Sequence, residues 1–332
     1  MTAQTTPQDP NRRFFPLGNF RLESGVTLPN AKIGYATFGT LNAQGDNAIL
    51  IPSWYGSDYH GYDFLIGAGK ALDPAKYFLV ATEMFANGFS SSPSNTPPPF
   101  DGASFPAIAI RDNVEAAHRL LTKELGVRHL RAVVGFSMGA EQAFQWAVSR
   151  PDFVSDVVAY CGTAKTYPHG VVRLESAISA LTADPTRVAW SQHWVAWVWS
   201  QEWWRRELFK PQWNTVDEVI ASRIARDRAR DPNNLISQAR TWQRHNVGDT
   251  PGFNGDHERA LGSIAARVLY MPGETDLYFP LGDAKYESQF IKRVTFAPIP
   301  SLWGHSAGSG GNPADNEFLN AQIRRFLEIS GS

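Results

Sequence analysis

Ser137 stands at the centre of Gly135-Phe136-Ser137-Met138-Gly139, a G-x-S-x-G pentapeptide. The pattern alone is common, because glycine and serine are common. Its context gives it weight. The apolar run Ala132-Val133-Val134 precedes it, and a segment through Ala143, Trp146 and Ala147 with helical spacing follows it. A strand, a sharp turn and a helix in that order present a serine Oγ at the edge of a sheet, beside a helix N-terminus. The flanking glycines allow the strained turn and let helix pack closely on strand.

A serine hydroxyl at neutral pH needs a base, and the base needs a carboxylate to hold its tautomer. Of the eight histidines, only His305 lies beyond the last acid-bearing strand end, in Trp303-Gly304-His305-Ser306. The acid expected is Asp276, in Met271-Pro272-Gly273-Glu274-Thr275-Asp276, on the loop leaving an apolar run at 268–271. Glu274 is its rival and reads as a solvated loop residue. The chain order is then serine, acid, histidine, with each at the C-terminal end of a strand. Two donors are needed for a developing oxyanion. The backbone N–H of Met138 is one, and the loop Pro52-Ser53-Trp54-Tyr55-Gly56 supplies the other, placed on Trp54.

These residues require elements to hold them. Short apolar runs at 33–38, 48–51, 77–81, 131–134, 157–161, 268–271 and 294–297 suit strands buried on both faces of a sheet. Between them, Asp112 reads as the cap of a helix through Val114, Ala117, Leu121 and Leu125 that stops at Gly126. Residues 138–149 form the next helix, and Asp315 reads as the cap of a last one burying Leu319, Ile323, Phe326 and Leu327. The alternation defines an α/β fold, with a mainly parallel central sheet flanked by helices.

Residues 164–250 break the rhythm. No clear strand falls there, and eight of the eleven tryptophans do. They build a small core of their own, or the aromatic underside of a cap over a pocket; the place of the interruption favours the cap. The domain reading is therefore a core of 1–163 and 251–332 with a helical lid at 164–250. Tyr55, His60, Trp194, Trp197 and Ser306 are candidate pocket residues, and His169 and His193 could also line it. His118, His129, His245 and His257 read as surface. Arg223, Arg226 and Arg230 share one helical face, read as solvated rather than as an anion site. The Ser- and Pro-rich stretch 90–99 reads as a fixed connection near the site rather than a docking peptide.

With 43% hydrophobic and 19% charged residues and a net charge of −1, the chain has no bias towards nucleic acid or an anionic membrane. No apolar run reaches a membrane span, and residues 1–13 carry no export signal. The single Cys161 closes an apolar run and reads as a buried structural thiol in a cytoplasmic protein. No metal-ligand spacing or phosphate-binding loop is present, so no metal and no cofactor are expected. The partner expected is a small-molecule ester, with a homodimer left open.

Most of the chain resembles the homoserine O-acetyltransferase-like branch of the α/β hydrolases. The residues that carry this are Phe105-Pro106-Ala107-Ile108-Ala109-Ile110-Arg111-Asp112, the Ser137 pentapeptide with Gln142 and Trp146, Pro151-Asp152, Asp276 and Gly304-His305. Trp54 matches the oxyanion-loop donor position. The resemblance implies a Ser–His–Asp triad, a helical lid and an acyl-enzyme on Ser137. Two departures turn it towards the esterases of the branch. Phe136 and Ala140 replace glycines that the transferases usually carry, and Ser306 stands where they usually have an aspartate that binds the homoserine amine. Burying an ammonium without that counter-charge is costly. The stretch 91–99 resembles the same hydrolase subgroup, whose members include esterases of short alkyl acetates. The expected activity is hydrolysis of short-chain, acetyl-type esters of small alcohols. The rivals are an acyl-CoA-dependent O-acyltransferase of the homoserine type and a non-catalytic binding protein that kept the fold.

Overall fold

Along β5 (Leu130–Phe136), Leu130 and Val133 face one hydrophobic core while Ala132, Val134 and Phe136 face another. That alternation marks a strand covered on both sides, as its near-continuous apolar sequence requires. The computed structural model describes residues 9–329; residues 1–8, which hold most of the segment read as lacking an export signal, lie outside the described residues.

The other strands are β1 (Arg13–Arg21), β2 (Thr27–Phe38), β3 (Ala48–Pro52), β4 (Phe78–Thr82), β6 (Val154–Tyr160), β7 (Arg267–Met271) and β8 (Val294–Phe296). Together they form one eight-stranded sheet in the order β1-β2-β4-β3-β5-β6-β7-β8. The six strands from β4 to β8 are parallel, and the β1–β2 hairpin joins antiparallel at the edge. β1 has no counterpart in the sequence reading. It is an edge strand with mostly exposed side chains, and its pairing shifts register around Pro16 and Gly18.

Helices α1 (Ile110–Arg119) and α2 (Met138–Ser149) cover one face, and the last helix packs on the other. Asp112 is not the cap of α1. It sits at the third helical position, where its carboxylate accepts hydrogen bonds from the N–H groups of Ala109 (2.7 Å) and Glu23 (2.8 Å). Asp315 is likewise one turn inside its helix, whose cap is Asn312.

Five helices fall within residues 164–250, after β6: α3 (Pro168–Ala183), α4 (Val188–Val198), α5 (Gln201–Arg205), α6 (Val216–Asp227) and α7 (Pro232–Gln243). Three more follow, α8 (His257–Gly262), α9 (Leu281–Ser288) and α10 (Pro313–Glu328). The segment carrying α3–α7 leaves and rejoins the sheet at one place, where Lys165 pairs with Asn246 and the Val247 N–H donates to the Ala164 carbonyl at 3.0 Å. Its helices enclose a third hydrophobic core built largely of Trp190, Trp194, Trp199, Trp203 and Trp242. No described helix is long and apolar enough to cross a membrane.

The stretch 90–99 is a fixed connection. Buried Ser90 and Ser91 accept hydrogen bonds from β2 N–H groups, and Asn234 of α7 donates to Ser94 Oγ at 2.8 Å. His245, read as a surface residue, is buried, and burial lowers its pKa to about 3. His118 is half-buried against the rings of Trp146 and Phe153.

Candidate active site

The turn from β5 into α2 leaves Ser137 with φ 55° and ψ −125°, backbone angles that a residue with a Cβ rarely adopts. What holds it there is the absence of side chains on either side. A Cβ on Gly135 would lie 2.0 Å from the Gly139 carbonyl oxygen, and one on Gly139 would lie 2.7 Å from that of Pro52. Both glycines are therefore needed for helix, strand and the end of β3 to approach.

Asp276 and His305 arrive from loops after β7 and β8. Thr275 ties the two loops together: its Oγ1 donates to the Ser301 carbonyl (2.8 Å) and accepts from the Gly304 N–H (3.2 Å). Asp276 is buried, with Oδ1 accepting from the N–H groups of Tyr278 (2.7 Å) and Phe279 (3.2 Å). Its Oδ2 lies 2.8 Å from His305 Nδ1, and His305 Nε2 lies 3.0 Å from Ser137 Oγ. A carboxylate only accepts, so Nδ1 carries the proton and Nε2 is free to accept from the serine hydroxyl. Glu274 is exposed and turned away from this run. The imidazole lies between the rings of Phe136 (4.7 Å between centroids) and Tyr278 (4.2 Å), nearly parallel to both.

The loop after β3 is joined to the serine turn twice. Tyr62 Oη donates to the Pro52 carbonyl at 2.8 Å and accepts from the Phe136 N–H at 3.0 Å, while Gln142 Nε2 donates to the Ser53 carbonyl at 2.9 Å. Among the described residues the Trp54 N–H has no acceptor, and Met138, first in its helix, has none within the helix. Trp54 and Ser137 line the same cavity, and Met138 directly follows Ser137. The Trp54 ring is wedged edge-on against Tyr62 and Phe136, and a Cβ on Gly61 would lie 1.9 Å from it.

Ser137 and His305 open onto a cavity of about 460 Å³ walled by rings from the α3–α7 segment. Tyr55, Trp194 and Ser306 line it; His60 and Trp197 do not. His60 is turned outwards by hydrogen bonds to Asp63 and Asp9. On α4 the cavity face is Trp190, Trp194 and Val198, at intervals of four. Trp197, one residue out of step, packs instead on His169. His169 is exposed, and neither it nor His193 reaches the cavity. The reading of Arg223, Arg226 and Arg230 as a solvated face holds for the exposed Arg226, while Arg223 and Arg230 are half-buried. All three line the cavity, Arg223 and Arg226 from α6, which buries Val219 and Asp227, and Arg230 from the turn that follows it.

Sequence reasoning missed several contributors. Phe136 and Tyr278 clamp the imidazole, and Tyr62 ties the two loops. Arg173 of α3 is also buried, its guanidinium 4.5 Å from the Tyr278 ring centre and 4.9 Å from that of Trp242. A lone aromatic or arginine carries no spacing signal, so nothing short of the fold shows what it touches. Cys161 is buried, and burial pushes its thiol well up, as suits a structural role.

Known proteins share this frame. A family model described as the alpha/beta hydrolase fold matches residues 49–307. The chain is 35% identical to an ethyl acetate hydrolase of Pseudomonas veronii, with 94% of each chain covered. It is 28% identical to a homoserine O-acetyltransferase of Symbiobacterium thermophilum, covering 92% of this chain and 91% of that one. The solved structure of an acetylester hydrolase from Corynebacterium glutamicum superposes with a TM-score of 0.92 at 31% identity, over 96% of both chains. The chain belongs to the α/β-hydrolase fold family. Within it, the chain is an enzyme of the branch that includes esterases and homoserine O-acetyltransferases.

Proposed function

We propose that this enzyme hydrolyses carboxylic esters through a Ser137–His305–Asp276 triad, acting on short, acetyl-type esters. One observation carries the reading: an unbroken hydrogen-bonded run from Asp276 through His305 to Ser137, opening onto an aromatic cavity. His305 takes the Ser137 proton as Oγ attacks the acyl carbon. Asp276 holds the tautomer and stabilises the imidazolium, and the rings of Phe136 and Tyr278 fix its plane. The N–H groups of Trp54 and Met138 receive the oxyanion; losing one such donor typically costs about 10²–10³ in rate. The alcohol leaves with the proton from His305. Water, deprotonated by His305, then attacks the acyl-enzyme and releases the acid.

In this reading the acyl group sits beside the Trp54 ring, which packs against Tyr62, Phe136 and Gly61, and the rest of the cavity takes the alcohol. Residues 164–250 act as a cap, supported by their single joint with the sheet at Lys165 and Asn246. The cap also positions the oxyanion loop, since Gln238 accepts from the Gly56 N–H at 2.9 Å and Arg230 donates to the Gly56 carbonyl. Ser306 offers an ammonium no counter-charge, which turns the acyl group towards water rather than homoserine. The relatives named as an ethyl acetate hydrolase and an acetylester hydrolase agree with this.

The test is acid release from a short acetyl ester without coenzyme A, beside acetyl-CoA consumption with and without homoserine. The reading requires the first. Turnover of acetyl-CoA with homoserine alone would overturn it.

A further inference from the structure

Three arginines make one wall of the cavity cationic. Arg223, Arg226 and Arg230 all face the space that Ser137 and His305 open onto, and no aspartate or glutamate lines it among the described residues. The three are not equivalent. Asp227, fully buried on the same helix, pairs with Arg226 at 3.0 Å and with Arg230 at 3.2 Å, and Arg230 is also committed to the Gly56 carbonyl. Arg223 has no carboxylate partner among the described residues. Its buried Nε makes no hydrogen bond, and its guanidinium lies 5.7 Å from the centre of the Trp199 ring. Burial, then the neighbouring Arg226 charge, lowers its pKa to about 10, which still leaves it cationic at neutral pH.

A half-buried guanidinium left without a carboxylate partner gains when a ligand supplies the anion. Much of the remaining wall is built of flat rings, including Tyr55, Trp190, Trp199 and Trp213, with Gln212, Ser222 and Ser306 among its polar members. Such rings take a flat apolar body, and the arginines are the cations that its polar end can reach. The electrostatic neighbours of the Tyr278 phenol include Arg223, while the ring of the same Tyr278 stacks on His305 at 4.2 Å. Tyr278 and Arg223 line the same cavity.

Resting on the ester-hydrolase reading, we propose that Arg223 is a specificity residue for the alcohol part of the substrate. That part has an aromatic or similarly flat body and carries a small anionic group, a carboxylate being the simplest. The bond broken is still the ester bond, so the step adds no reactant beyond water.

The experiment compares 4-acetoxybenzoate with its neutral carboxamide, each rate divided by that ester's own hydroxide hydrolysis. The carboxylate ester is expected to have a kcat/KM at least about tenfold higher, carried mainly by KM, with the advantage shrinking as salt rises. Arg223→Gln lowers kcat/KM for the carboxylate ester at least about tenfold more than for the carboxamide, whereas Arg223→Lys recovers part of the difference. The wild-type comparison stands even if a variant folds poorly. Equal turnover of the two esters, or an equal loss on both in Arg223→Gln, overturns the proposal. Coenzyme A separates the other source of anionic groups, its phosphates. Competition by coenzyme A stronger than by 4-hydroxybenzoate would assign the wall to an acyl donor and also overturn it. Failure to hydrolyse either ester, with Ser137 unreactive, would instead remove the hydrolase reading itself.

Discussion

The ring of Phe136 stacks on the imidazole of His305, with centroids 4.7 Å apart and planes 27° from parallel. Phe136 stands where the transferases of this branch usually carry glycine, so the imidazole gains a wall that a glycine could not give it. The same ring fills the space against Gly308, where a Cβ would lie 2.3 Å from it. Phe136→Gly should cost about 3 kcal/mol of stability, read by denaturant melts, since a buried aromatic is lost. It should also lower kcat at least about tenfold through a looser imidazole. An unchanged kcat would show that the stack packs the site without orienting the base.

Asp276→Asn keeps an acceptor for the Tyr278 and Phe279 N–H groups but presents an N–H or a weak acceptor to His305 Nδ1. The imidazole is then held in the wrong tautomer. A loss of about 10³–10⁴ in kcat with little change in Tm is expected from steady-state kinetics and thermal melts.

Gly61 makes a third site testable without touching a reacting group. Gly61→Ala places a methyl against the Trp54 ring, which has no room to yield between Tyr62 and Phe136. Displacing Trp54 moves its N–H as well. A fall in kcat of about 10²-fold is predicted, with Ser137 labelling by a fluorophosphonate slowed in parallel.

The positions of Ser137 and Asp276 at strand ends were open to reading because each closely follows a run of four or five apolar residues, whereas His305 lies well beyond the short, partly exposed β8. Strands buried on both faces announce themselves by such a run. The edge strand β1 did not, since its exposed residues alternate with Pro16 and Gly18. Arg223, Arg226 and Arg230 share a face at helical spacing, yet spacing cannot say what a face looks at. In the fold, α6 buries Val219 and Asp227, and all three arginines line the cavity. Trp197 shows the same limit: one residue's rotation along α4 separates it from the lining Val198. Asp112 and Asp315 were read as caps, whereas each acts one turn later, since a carboxylate can serve either position.

Burial raises the carboxyl of Glu287 to about 8, although it accepts hydrogen bonds from the Ala164 N–H and the Tyr270 hydroxyl. Its folded pKa therefore exceeds its unfolded one. Between about pH 4.5 and 8 the native chain holds a proton that the unfolded chain has lost, so stability falls as pH rises through that window. Glu287→Gln keeps the acceptor and removes the proton. Its Tm should vary less between pH 5 and 8 than the wild type's; an identical slope would contradict this.

The central claim is that Ser137 is the activated nucleophile, and covalent labelling tests it most directly. A fluorophosphonate should add once to the protein, on the peptide containing Ser137, and Ser137→Ala should abolish both the adduct and nearly all ester turnover. An unlabelled preparation that still hydrolyses esters, or a Ser137→Ala variant with wild-type activity, would contradict the account.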